Sequence, residues 1–162
     1  MTPEGLPSKP IRLGSYICIG SALFAFGLTS ISYAAADKAE YELRERCGKR
    51  AEQVWRTEFP NDGITNHPDG SQTTTNYKNH YSATLNKCFY LQTGMTIKKG
   101  NTAIATERLY DINENNEYGM LVSDIESPSF VKKVFVCFVK DKKCSSENEW
   151  RELLKPFMED AD

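Results

Sequence analysis

The sequence predicts an α+β domain. An apolar stripe at helical spacing covers Asp37–Phe59, four strand-like runs follow with hairpin-type connections, and a capped helix closes the chain. At 162 residues, one folded domain is the natural size.

The first 36 residues read as a leader. Lys9 and Arg12 make a weakly positive start, Leu13–Ala36 carries no charge, and Ser32-Tyr33-Ala34 and Ala34-Ala35-Ala36 offer small-x-small cleavage sites. A positive start, an apolar middle and a small-residue end describe a secretory signal peptide cut after Ala34 or Ala36. The uncharged stretch is also long enough to stay uncleaved as an inner-membrane anchor through residues 13–36. Its Gly and Ser content and the Ala run favour cleavage. The expected location is periplasmic or extracellular. Removing residues 1–36 leaves a net charge of −3. Nucleic acid is a poor partner for such a domain, because that affinity comes chiefly from Lys and Arg on phosphates.

Residues 37–162 form the expected single domain and keep Cys47, Cys88, Cys137 and Cys144. An even count in an exported chain reads as two disulfides, with three connectivities open. A strand end followed by a short Lys-rich turn favours Cys137–Cys144, which leaves Cys47–Cys88. By loop entropy the long bridge contributes about 4 kcal/mol and the short one about 2.5 kcal/mol. No paired-cysteine metal spacing occurs, and neither metal nor cofactor is expected.

In the first helix Leu43, Cys47, Ala51, Val54, Trp55 and Phe59 make the apolar stripe, and Pro60-Asn61-Asp62-Gly63 stops it. Residues 60–80 read as a polar loop, with a small hairpin about Pro68-Asp69-Gly70 as the alternative. A four-stranded antiparallel meander follows: Lys87–Ile97, Thr102–Ile112, Glu117–Ile125 and Val131–Val139. Ser146 and Glu149 form a capping box for a last helix whose face is Trp150, Leu153, Leu154 and Phe157, with Pro156 expected to end or kink it. Both helices are expected on one face of the sheet.

No constellation is diagnostic of an activity. His80 and Cys88 could form a nucleophile pair only with a reduced thiolate, which a disulfide removes. Asp111-x-Asn113-x-Asn115-x-Glu117 copies the opening of a calcium loop, but Asn116 and Val122 stand where glycine and glutamate are needed, and Asn and Asp suit a hairpin turn. Lys132, Lys133, Lys140, Lys142 and Lys143 gather charge about the last strand, as edge protection or for an anionic partner. His80, Tyr81, Lys140, Lys142 and Lys143 are the candidate binding residues.

The block Asn79–Phe89, with Tyr110-Asp111-Ile112-Asn113 and the closing Cys137…Cys144 pair, resembles a family of small exported bacterial proteins that share an Asn-Lys-Cys-Phe block. The resemblance implies a bacterial envelope setting and brings no activity or functional residue with it. The expected function is a non-catalytic exported binding or envelope-accessory protein, its partner an envelope protein or glycan. The alternatives are a small secreted hydrolase using Asp111, Glu114 and Glu117, or a protein inhibitor of a wall-degrading enzyme.

Overall fold

A computed structural model describes residues 29–98, 102–126 and 131–160, with side chains from Asp37 onward except at 126, 131 and 132. Most of the expected leader lies outside the described residues. The first helix, α1 (Thr29–Glu58), begins before both expected cleavage points, after Ala34 and Ala36. Among the described residues no helix is long and apolar enough to cross a membrane.

The α+β class holds, but the sheet has seven strands instead of four. They are β1 (Ile64–Asn66), β2 (Gln72–Ser82), β3 (Lys87–Ile97), β4 (Ala103–Asp111), β5 (Asn116–Glu126), β6 (Val131–Val139) and β7 (Lys142–Lys143). Each pairs antiparallel with the next, in sequence order. Helix α2 (Glu147–Met158) follows.

The polar stretch 60–80 takes the hairpin alternative about Pro68-Asp69-Gly70 and not the loop, supplying β1, a tight turn and most of β2. Its composition hid a strand in which alternate polar residues turn inward. Thr75 is buried and Tyr77 half-buried while Thr74 and Asn76 face solvent, and three consecutive β-branched threonines suit a pleated backbone. The turn is held by Asp69, whose Oδ1 accepts from the Ser71 backbone N–H at 2.9 Å and from its hydroxyl at 2.7 Å. Gly63 lets α1 hand over to the sheet. At φ +80° it sits where a Cβ would lie 2.2 Å from the Thr75 carbonyl and 2.6 Å from the Trp55 ring.

The helices lie on opposite faces, which corrects the one-face expectation. β3 alternates between two cores: Cys88 and Tyr90 join Cys47 and Ala51 of α1 with Tyr81 and Ile112. Phe89 and Leu91 join Trp150, Leu154 and Phe157 of α2 with Leu109, Leu121 and Val139. The α2 core centres on fully buried Trp150, whose Nε1–H donates to Glu107 Oε2 at 2.9 Å. Gly119 admits that ring, because a Cβ there would sit 3.2 Å from it and 2.6 Å from the Phe138 carbonyl. α1 packs chiefly on β2 and β3, and the same face of β4–β6 carries half-buried Ile104, Met120, Val122 and Phe138.

The cap of α2 differs in detail from the expected box. Ser146 Oγ accepts from the Glu149 N–H at 3.2 Å, but the Glu149 carboxylate accepts from Ser145, one residue earlier, at 2.7 Å. The helix runs two residues past Pro156, to Met158.

Both expected disulfides are present, Cys47–Cys88 with Cα atoms 5.4 Å apart and Cys137–Cys144 with Cα atoms 4.9 Å apart. β7 delivers the second, since its pairing with Phe138 and Val139 lets the Cys144 N–H donate to the Cys137 carbonyl at 3.0 Å. The two bonds point to an oxidising, exported location.

Cys47→Ser with Cys88→Ser should destabilise the domain by about 4 kcal/mol, and Cys137→Ser with Cys144→Ser by about 2.5 kcal/mol. Denaturant unfolding of the two double variants checks the order. Gly119→Ala should cost about 1–3 kcal/mol by overpacking against Trp150, seen as a lower denaturation midpoint with an unchanged slope.

Candidate functional site

At the end of the sheet where β2 turns into β3, the amino-terminal half of α1 and the carboxyl end of α2 overhang a cleft of about 710 Å³. The Ala83–Asn86 turn closes one side. Asn86 adopts φ 50°, and its Oδ1 accepts from the Tyr81 hydroxyl at 2.7 Å, which fixes the turn to the strand. Strand alternation then sends His80 and Ser82 to the α2 face and Tyr81 to the α1 face, opposite its sequence neighbour.

Charge in the cleft is organised by Arg44 on α1. Its guanidinium donates to Glu40 Oε1 at 2.7 and 3.0 Å and, with two nitrogens, to Asp160 at 2.8 and 3.3 Å. Two parallel bonds of this kind fix the carboxylate plane. Helix α1 is thereby clasped to the segment after α2, 116 residues away in sequence. The hydrogen bonds from Arg44 hold the Asp160 carboxyl below its ordinary 3.8, and Asp160 with Glu40 raises the guanidinium in turn. His80 Nε2 lies 3.7 Å from Asp160 Oδ1, beyond hydrogen-bond reach, and is buried without a partner. Lys155, on the α2 wall, pairs with Glu152 at 2.7 Å, and Ser82 Oγ accepts from the Leu85 N–H at 3.4 Å.

Of the candidate binding residues only His80 lines this cleft. Lys140 and Lys142 line a separate hollow of about 230 Å³ beside α2. There Lys140, at φ 53°, holds its ammonium 4.8 Å from the Tyr118 ring centroid and 5.7 Å from that of Phe157. Lys143 is exposed on β7, and the Lys132 side chain lies outside the described residues. Lys133 covers Phe135, 5.6 Å from its centroid. The lysines therefore do not converge on one patch with His80.

The calcium-like spacing resolves into a turn. Asp111 is fully buried, its Oδ1 accepting from the backbone N–H groups of Asn113 at 3.0 Å and Glu114 at 3.4 Å. Its Oδ2 meets the Lys87 ammonium at 2.6 Å, and Glu114 meets the same ammonium at 2.8 Å. Those hydrogen bonds, Asp111 first, raise the lysine above its usual range. Where a cation would sit between the carboxylates there is an ammonium. Glu117 turns away toward Arg108, 3.8 Å off. The three carboxylates considered for a hydrolase are thus two held by one lysine and one facing elsewhere. His80 and Cys88 cannot pair as acid and nucleophile, because Cys88 is oxidised and faces α1.

Arg44, Lys155 and Asp160 are the cleft residues that sequence reasoning misses. Ordinary charged residues on two distant helices carry no signal until the chain folds them together. Comparison with known protein families, with curated proteins and with solved structures finds no match to this chain.

Because Asp160 is depressed, whatever its pair contributes is present above about pH 4 and lost as pH falls through the folded value. Carboxyl NMR should find Asp160 titrating below 3.8, and Arg44→Ala should return it toward that value.

Proposed function

We propose that this is an exported, disulfide-stapled binding protein of the bacterial cell envelope, acting without catalysis. Its partner, an envelope protein or glycan, is received in the cleft between α1, the β2–β3 turn and α2. The observation that carries this reading is the Arg44–Asp160–His80 arrangement. Arg44 occupies the Asp160 and Glu40 carboxylates, and His80 has no hydrogen-bonded nucleophile or carboxylate. An imidazole nitrogen with no hydrogen-bond partner inside the protein is available to a ligand's donor or acceptor.

The same arrangement suits recognition. Donors and acceptors of both signs line a concave surface, and the Arg44–Asp160 ion pair ties its α1 wall to the segment after α2. Preorganised polar groups of mixed sign favour a polar partner with both donors and acceptors, such as an extended peptide segment. The oxidising compartment that the disulfides require fits the leader-like start of the sequence. The resemblance to small exported bacterial proteins supports the envelope setting.

The test is a photo-crosslinking amino acid placed in the native host at Leu85, which is 40% exposed and lines the cleft, and at Ile64, 46% exposed on β1. A discrete adduct is expected from position 85 and not from 64. It should fall several-fold with Arg44→Ala or His80→Ala and persist with Lys142→Ala. Equal adducts from both positions, or an adduct indifferent to Arg44 and His80, would overturn the reading.

A further inference from the structure

A second cavity, of about 320 Å³, lies between α1 and the sheet, away from the Arg44 cleft. Arg50, Val54 and Glu58 of α1 form one wall, Tyr90 and Tyr110 the other, and the turn carrying Ile112 and Asn115 closes the end. Its volume is at the lower end of ligand pockets and matches something the size of one sugar ring.

Tyr90 makes this cavity more than a packing gap. The residue is 1% exposed, and its hydroxyl has no hydrogen-bond partner. A buried phenol normally finds one. Burial, then the nearby charge of Glu58, pushes the phenol above its ordinary value, so the group stays protonated and is a donor in want of an acceptor. The neighbouring Tyr110 hydroxyl accepts from Arg108 Nη1 at 3.2 Å, which leaves its own proton to donate. Glu58 is exposed and disfavours a carboxylate ligand, while Val54 and Ile112 offer a small apolar floor.

We propose that this cavity binds an N-acetylated amino sugar. The acetamido carbonyl accepts from the Tyr90 hydroxyl, and its methyl rests on Val54 and Ile112. Its N–H faces Glu58, and the ring hydroxyls meet Tyr110, Asn115 and Arg50 at the mouth. An acetamido group combines an acceptor, a donor and a methyl within this span. The site shares no residue with the Arg44 cleft and stands or falls apart from it.

The experiment is an NMR titration of the oxidised full chain with N-acetylglucosamine, glucosamine and glucose, following the Ile112 and Asn115 amides. Saturable shifts with N-acetylglucosamine, weakened several-fold with glucosamine and glucose, are expected. Tyr90→Phe should weaken binding about five-fold, the worth of one hydrogen bond, with a melting temperature at or above that of the parent, since it removes an unpartnered hydroxyl. Glu58→Leu, at an exposed position at the end of α1, should weaken binding as well. Arg44→Ala should leave it unchanged. The proposal is overturned by the absence of saturable shifts at those amides, by equal affinity for glucose, or by full affinity in both Tyr90→Phe and Glu58→Leu.

Discussion

Cys88-Phe89-Tyr90-Leu91 is apolar at every position, and a strand whose neighbouring side chains all need burial must be covered on both faces. That requirement on β3 arranges the rest of the molecule. One helix cannot satisfy it, so α1 takes the face of Cys88 and Tyr90 while α2 takes the face of Phe89 and Leu91. The bond from Cys47 to Cys88 pins α1 where that strand begins. Trp150, admitted by Gly119, fixes α2 on the other side. The two cores meet back to back through β3.

The uninterrupted run in β3 was visible in the sequence and is the signal that separates two-sided from one-sided burial. Placing both helices on one face overlooked it. The helices themselves, the hairpins after Cys88 and the disulfide pairing were legible because each rests on local spacing: an apolar stripe, a turn composition, a short loop between cysteines. The β1–β2 hairpin was legible only through its turn at Pro68-Asp69-Gly70, and the length of β2 was not, because threonine and asparagine can serve a strand as well as a loop. What decides is cross-strand pairing with β3, such as the 2.8 Å bond between the Thr73 and Thr96 hydroxyls. β7 was read as part of a turn for a similar reason, being two lysines with no apolar mark of their own.

The candidate site was legible in one residue. His80 stood out in a distinctive block, but its surroundings come from α1 and from the segment after α2, and nothing local announces that Arg44 will meet Asp160. The acidic pattern at 111–117 illustrates the converse. Spacing alone resembled a metal loop, whereas the fold supplies Lys87 from the neighbouring strand and makes the same carboxylates into the fastening of a turn. Charge patterns become chemical only when their counter-charges are known, and in a meander those sit a hairpin away.

The two disulfides join cysteines that are consecutive among the four held by the domain, the first to the second and the third to the fourth. A chain delivered through a membrane N-terminus first presents Cys47 and Cys88 together before Cys137 has emerged. When Cys137 and Cys144 arrive, the earlier pair is already spent as a source of wrong partners. Pairing the domain's four cysteines in order of arrival would therefore give the connectivity found here, with no reshuffling required.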